Sequence, residues 1–319
     1  MELKNVLKTS SLPRLETEIL LAYLLNKSRE FLLTHPDLLN KSREFLLTHP
    51  ETKITPAIYR KFQALEAKRL KNWPIAYLTG VKEFYGFDFK VSSAVLTPRP
   101  ETEYIIEEIV KMFKNKNTGS KISDKSVPLK DKSVPSAPLK PIIIDLGTGS
   151  GAIIISIAKE LKRLAPLTYR RAEFLAVDIS ASALKMAKIN AVKHSLTRKI
   201  KFYQGNLLSP LKLNKRSLGQ SELIIAANLP YLTRAQIKKS PSISREPFLA
   251  LDGGSDGLKY YFKLFKQLSE LPVVGKLRII CEIDESQARK IKALVEKYFP
   301  GMNSEIICDL FGKKRFLSF

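Results

Sequence analysis

The stretch IIIDLGTGSGAIIISIA at 142 to 158 restricts the chain more than any other. A short apolar run meets a glycine-rich turn and then continues as an apolar helical pattern, which is how a buried strand feeds a helix. Gly147, Gly149 and Gly151 lack the Cβ atoms that would hold a ligand off the backbone, and Thr148 and Ser150 complete the turn. The helix start behind them offers free N–H groups. The spacing is G-x-G-x-G, whereas the dinucleotide fingerprint is G-x-G-x-x-G, and the Gly-Lys-Ser/Thr of a phosphate loop is absent. Asp145, just before the turn, would repel a pyrophosphate but suits a cationic ligand such as the methionine end of S-adenosyl-L-methionine. That methyl donor is the expected cofactor.

From 141 onward the patterning alternates. Strands are expected at 141–145, 173–178, 200–204, 223–227, 277–282 and 305–309, with helices at 152–164, 182–194 and 285–298. Such alternation implies an α/β fold, a parallel sheet covered by helices on both faces. Ligands of these folds bind beyond the carboxyl ends of the strands.

Upstream, residues 13 to 72 carry apolar residues at helical spacing, as in Leu15, Ile19, Leu20, Tyr23 and Leu24 and again in Ile58, Phe62, Leu65 and Leu70. A small helical domain over 1–72 is expected. Within it LLNKSREFLLTHP at 24–36 recurs letter for letter at 38–50, the mark of a tandem duplication rather than of a diverged repeat. Each copy ends in His-Pro, which interrupts a helix, so His35 and His49 read as loop residues. Residues 73–97, rich in aromatic and β-branched residues with Gly80 and Gly86, read as a β-hairpin linker. The segment Pro98-Arg99-Pro100-Glu101-Thr102-Glu103 opens a helix, with prolines at its start and acids in its first turn. A catalytic domain is expected over 98–319, interrupted at 115–140 by a Lys-, Ser- and Pro-rich stretch that reads as a mobile loop carrying a second duplication.

Composition excludes several classes. Two cysteines, Cys281 and Cys308, and no Cys/His group at ligand spacing speak against a disulfide scaffold or a metal site. No run approaches the roughly 20 apolar residues of a membrane span, and the N-terminal residues lack the pattern of a signal peptide, so a cytoplasmic protein is expected. The net charge of +23 invites a nucleic-acid reading, but the lysines are scattered and read as a solvated basic surface.

Two further segments complete the expected site. Asp178 ends the second strand in AVDIS, where a carboxylate can accept from both ribose hydroxyls, and Asn206 and Leu207 follow the third strand where adenine should rest. The fourth strand ends in Asn228-Leu229-Pro230-Tyr231, beside the switch point of the sheet. An amide or exocyclic amine is a poor nucleophile because its lone pair is delocalised. The Asn228 side-chain oxygen and the Leu229 carbonyl can accept the two N–H bonds of an –NH2 group, with Tyr231 packed on its plane. Such contacts would orient the nitrogen and stabilise the charge that develops on it, with no general base needed.

These motifs, in order, resemble the peptide chain release factor glutamine methyltransferases. The resemblance runs from about residue 11 onward. It is carried by the single-copy equivalent of LLNKSREFLLTHP, PIAYLTGVKEFYGFDFKVSSAVLTPRPETE, DLGTGSGAI, AVDISASAL, NLPY, EPFLALDGGSDGL and DLFGKKR. It implies a helical substrate-binding domain, a hairpin linker and a seven-stranded Rossmann-like class I S-adenosylmethionine methyltransferase domain. The implied substrate is the glutamine of the Gly-Gly-Gln motif of class 1 peptide chain release factors, taken by a monomer that need not bind nucleic acid. The family's cofactor loop falls on Gly147 to Gly151, its ribose acid on Asp178 and its substrate clamp on Asn228 to Tyr231. The PRPETE segment resembles the release-factor enzymes more than the ribosomal-protein glutamine methyltransferases.

The chain departs from the family pattern at three places. Leu229 stands where the clamp usually has its first proline, Asn206 stands at an often acidic position, and the duplications are additional. Two rival readings remain at this level. A DNA or RNA adenine methyltransferase shares the clamp but would need a base-reading region, and a non-catalytic binder would keep the fold without turnover.

Overall fold

The computed structural model describes residues 2–25, 51–114, 139–214, 218–219, 221–272 and 276–319. The duplicated copies, the two histidines within them and the stretch expected to be a mobile loop lie outside the described residues, apart from a few at their edges.

The first helices are α1 (Leu3–Thr9), α2 (Arg14–Leu24) and α3 (Pro56–Leu70). Pro56 at the first position of α3 and the Thr55 side chain, which accepts from the Ile58 N–H, fix where that helix begins. Leu3, Val6, Leu20, Leu21, Ile54 and Phe62 form a core of their own. Arg69 closes the bundle with a bidentate pair on Glu16, at 2.8 and 2.7 Å. Leu15, Tyr23 and Leu70, placed on the apolar stripe by spacing alone, are instead exposed. The packing face of α2 is the one that carries Thr17, Glu18, Leu20 and Leu21.

A short helix α4 (Ile75–Thr79) leads into strands β1 (Val81–Phe84) and β2 (Phe87–Lys90). They pair antiparallel across Tyr85 and Gly86, whose φ of +53° and +71° suit a tight hairpin turn. Phe84 and Phe89 point into the main core. Asn190 anchors the hairpin, accepting from the Lys90 N–H at 2.7 Å and donating to the Lys90 carbonyl at 2.9 Å.

A turn of 3-10 helix at Pro100–Thr102 then starts α5 (Glu103–Lys114), which buries Ile105, Ile106, Ile109, Val110 and Phe113 along one face. The seven-stranded sheet comprises β3 (Lys140–Leu146), β4 (Glu173–Asp178), β5 (Ile200–Gln204), β6 (Ser221–Ala227), β7 (Lys276–Glu282), β8 (Glu305–Cys308) and β9 (Lys314–Ser318). Their order is β5-β4-β3-β6-β7-β9-β8, and β9 runs antiparallel to both of its neighbours. Strand β9 and helices α7 (Pro166–Arg171), α9 (Arg234–Lys238) and α10 (Lys259–Ser269) were not among the expected elements.

Strand β3 shows why its sequence is apolar throughout. Ile143 faces the core shared with α5 and α6 (Ala152–Leu164), whereas Ile142, Ile144 and Leu146 face the core shared with α10 and α11 (Ala288–Tyr298). A central parallel strand is buried on both sides and cannot alternate with polar residues. The chain reverses its winding between β3 and β6, and the ends of these strands open the cleft.

Candidate active site

The cleft lies over the carboxyl ends of β3, β4 and β6. Gly147 to Ser150, Asp178, Asn206, Leu207 and Asn228 to Pro230 line it, together with Ala94 to Arg99 and Thr102. The structure therefore brings together most of the residues that the sequence singles out. Two are placed elsewhere. Gly151 is not in the lining; a Cβ there would sit 3.2 Å from the Cβ of Ala187, so its bareness lets α6 approach α8 (Ala181–Lys193). Tyr231 is also outside the lining, and its hydroxyl turns inward to Glu282.

Backbone bonds shape the glycine loop. Gly147 and Thr148 both donate to the Val177 carbonyl, at 2.9 and 3.0 Å. The Gly149 N–H donates to the Asp178 carboxylate at 2.9 Å, and the Ser180 N–H donates to its other oxygen at the same distance. These bonds hold down the carboxyl's pKa, while burial, the larger effect, raises it. Gly147 (φ +71°) and Gly149 (φ +55°) adopt left-handed backbone. A Cβ on Gly147 would come within 3.4 Å of the Leu229 side chain, so the loop lies against that buried leucine.

Asp145 does not face the cleft. It is fully buried, accepts from the Thr148 hydroxyl at 2.6 Å, and is pushed up to about 7 by desolvation. The expected electrostatic contact with a cationic ligand is replaced by a tie that shapes the loop from behind, because Asp145 shares the strand face of Ile143 rather than the strand's end.

The four residues after β6 are held by Glu282, which belongs to no quoted motif, and by Thr102 of the PRPETE segment. Glu282, at the end of β7, is fully buried. One of its carboxylate oxygens accepts from the Asn228 Nδ2 at 3.0 Å and from the Thr102 hydroxyl at 2.6 Å. Its other oxygen accepts from the Tyr231 hydroxyl at 2.9 Å. The Asn228 Nδ2 also donates to the Thr102 Oγ1 at 3.0 Å. The two acceptors stand only 2.6 Å from each other, too close to take separate hydrogens of one amide, so they share one; the Nδ2 end is held toward Glu282, and Oδ1 is left as the end that can accept from a ligand. Burial raises the pKa of Glu282, opposed by the bonds from Thr102 and Tyr231 and by the charge of Arg315.

Behind the clamp lies the glycine-rich LDGGSDGL segment. Leu232 and Gly253 exchange backbone bonds with the strip around Leu251, with Leu232 donating to Leu251 at 3.0 Å and Gly253 donating to Leu232 at 2.8 Å. A Cβ on Gly253 would stand 2.7 Å from the Pro230 carbonyl, and one on Gly257 would stand 2.1 Å from that of Tyr231. Gln287 completes the support: its Oε1 accepts from the Asp284 N–H in a capping box, and its Nε2 donates to the Tyr231 carbonyl at 2.7 Å.

The lining suits a nucleoside-bearing cation better than a polyphosphate. Arg99 is the only cationic residue among the described lining, and it is engaged by buried Glu246 at 2.5 Å. Asp178, the amide of Asn206 and the apolar Val177, Ile179, Leu207 and Tyr260 offer a carboxylate and flat apolar surface, a donor set that fits S-adenosylmethionine. Among the described residues no cluster of His, Cys, Asp or Glu could hold a metal ion, and no helix is long and apolar enough to cross a membrane.

Comparison with known proteins agrees with this fold. Residues 140–247 match the model of a methyltransferase domain, and residues 37–80 match that of the PrmC N-terminal domain, beginning close to the second duplicated copy. The release factor glutamine methyltransferase of Moorella thermoacetica is 33% identical over 95% of this chain and 89% of its own length. That of Bacillus subtilis is 34% identical over 76% and 73%. The bifunctional methyltransferase of Rickettsia typhi is 35% identical over 90% of this chain, which spans 50% of that longer protein. Among solved structures, the hMettl16 catalytic domain in complex with MAT2A 3'UTR hairpin 1 superposes with a TM-score of 0.50 at 11% identity, covering 89% of this chain and 90% of that one, a likeness of fold alone. With the cleft, the sheet order and these relatives in view, the chain belongs to the release factor glutamine methyltransferase family and is an S-adenosylmethionine-dependent methyltransferase.

Proposed function

We propose that the chain methylates the side-chain amide nitrogen of a protein glutamine, that of the Gly-Gly-Gln motif in class 1 release factors. The observation that carries this reading is the orientation of Asn228, whose Nδ2 is bound to Thr102 and Glu282 so that Oδ1 is left to the cleft. Beside it the Leu229 carbonyl supplies a second acceptor, and Pro230 confines residue 229 to extended backbone. Two neighbouring acceptors match the two N–H bonds of a primary amide. The names of the relatives support a release factor glutamine as the substrate.

S-adenosylmethionine, when bound, supplies an electrophilic methyl group. Asp178 would hold the ribose hydroxyls, Asn206 and Leu207 the adenine side, and Gly147 to Ser150 the space along the backbone; Gly151 acts only on helix packing. Asn228 and Leu229 draw the amide hydrogens into their own plane, so that the nitrogen lone pair turns out of conjugation and toward the donor. As the N–C bond would form and the donor's sulfur–methyl bond break, leaving a neutral thioether, positive charge would grow on nitrogen and both oxygen contacts would strengthen. The methylated nitrogen is then acidic enough to lose its extra proton to water without a dedicated base. The Tyr231 hydroxyl braces the clamp through Glu282, and its partly exposed ring is left to pack on the plane of the amide.

The test is to incubate the full chain with labelled methyl donor and a release factor, with bare nucleic acid in parallel. Label on the glutamine of Gly-Gly-Gln is expected, and label on adenine alone would overturn the reading. Asn228→Ala is expected to lower turnover by roughly 10²–10³ while leaving donor affinity within about twofold, as for loss of one preorganised polar contact.

A further inference from the structure

Glu282 belongs to none of the motifs that the sequence singles out, yet it is the hub of the clamp. Burying a carboxylate completely is costly unless donors surround it. Here Thr102, Asn228 and Tyr231 all donate to it; burial raises its pKa, and the bonds from Thr102 and Tyr231 and the nearby charge of Arg315 oppose that rise. The three donors come from two well-separated segments: the turn before α5 for Thr102 and the residues just after β6 for the other two. A site can afford such convergence for packing alone, but an aliphatic side chain would serve that end with no desolvation cost. What only the carboxylate supplies is polarity.

An asparagine side chain is nearly symmetric in shape, and its two ends differ only in hydrogen bonding. An ionised carboxylate has no hydrogen to give. It therefore accepts only the Nδ2 end of Asn228, and Thr102, whose own hydrogen points to Glu282, has only lone pairs to offer the same Nδ2 hydrogen. We propose that Glu282 is a specificity-determining positioning residue: by dictating the orientation of the Asn228 amide it makes the cleft accept an –NH2 group and reject a carboxylate. The distinction matters because glutamine and glutamate side chains have almost the same shape, and only the donors of the former answer the acceptors of the clamp. This inference rests on the reading that Asn228 holds the substrate amide.

A Gly-Gly-Gln peptide and its Gly-Gly-Glu counterpart, the latter as a competitive inhibitor, test it on the full chain with bound methyl donor. Glu282→Gln keeps the volume but offers a donor at one end and an acceptor at the other, so the orientation of Asn228 is no longer dictated. Turnover of the Gln peptide should fall roughly 10- to 100-fold, the scale seen when a supporting hydrogen-bond partner is lost, with donor affinity within about twofold. The ratio of Glu-peptide to Gln-peptide affinity should move toward Glu by about tenfold, because the acceptor end and the buried negative charge are both relaxed. Because Glu282 acts through Asn228, Glu282→Gln should cost less than about threefold in an Asn228→Ala background.

An unchanged affinity ratio, or a loss that multiplies in full on Asn228→Ala, would overturn the proposal and leave Glu282 a packing residue. If Asn228→Ala alone turns over normally, the parent reading fails and this one with it, an outcome distinct from failure of Glu282→Gln alone. Should Glu282→Gln fail to bind the donor, Thr102→Val takes its place. It should shift the ratio the same way by about threefold, and no shift overturns the proposal.

Discussion

The two sides of the cleft are built by different means. On the donor side, Gly149 bonds Asp178 across 29 residues of a single strand-turn-helix-strand unit, and Gly147 and Thr148 bond the adjoining Val177. On the acceptor side, Asn228 reaches Thr102 across 126 residues and Glu282 across 54. The donor side is made of backbone in glycine-permitted conformations, so local sequence is enough to build it. The acceptor side is a side-chain network whose members meet only once β6, β7 and the turn before α5 have packed.

This contrast can be broken most severely at the acceptor side. Gly257→Ala would place a Cβ about 2.0 Å from the Gln287 amide and 2.1 Å from the Tyr231 carbonyl, at a φ of +74°. It should destabilise the protein by roughly 3–5 kcal/mol in denaturant titration and abolish turnover with it. Gly149→Ala has open space, its nearest heavy atom being 3.9 Å away, and carries only the backbone cost of a φ of +55°. That variant should lose about 1 kcal/mol, and equal losses at the two glycines would remove the distinction.

A smaller effect separates the two sides by kinetics. Asp178→Ala should weaken donor binding by roughly 10- to 100-fold in calorimetry, the cost of losing charge-assisted hydrogen bonds, yet spare turnover at saturating donor. Asn228→Ala should do the converse. If both variants change the same constant, the sides are not functionally separate.

The smallest effect concerns the join beneath the donor side. His194, at the end of α8, sits against Phe87 and Phe89 of the hairpin, and its Nε2 lies 3.0 Å from the Asp88 carbonyl. Burial, with Lys159 and Lys193 nearby, lowers it from 6.5 to about 4. The folded protein then binds fewer protons here than the unfolded chain does. Stability from this group is complete above 6.5 and falls as pH drops from 6.5 toward 4. His194→Phe should flatten the decline in melting temperature over that range while leaving turnover at pH 7.5 unchanged.

Much of this was legible in the chain. The helix expected at 152–164 and the strands at 173–178 and 200–204 coincide with α6, β4 and β5, because buried central elements carry long apolar runs bounded by glycine or polar caps. Gly147 to Ser150, Asp178, Asn206 and Leu207, grouped by motif in the chain, also lie together along one cleft. Strand β9 was missed because KRFLS is short, charged at its start and lies antiparallel near the sheet's edge, where pairing rather than local pattern makes a strand. Helix α10 was missed although Tyr261, Leu264, Phe265 and Leu268 fall at helical spacing. That signal was present and could have been found.

Asp145 and Tyr231 show the limit from the other direction. Both belong to motifs and read as facing the ligand, but strand parity turns Asp145 into the core, and Glu282 fixes the hydroxyl end of Tyr231. What the sequence by itself determined is the unit around Gly147 to Asp178, since backbone conformation and hydrogen bonding over one strand-helix-strand turn follow from nearby residues. Only the tertiary structure decided which end of Asn228 faces the cleft, because that depends on a buried carboxylate carried there by another strand, and no local pattern records which donors will surround it.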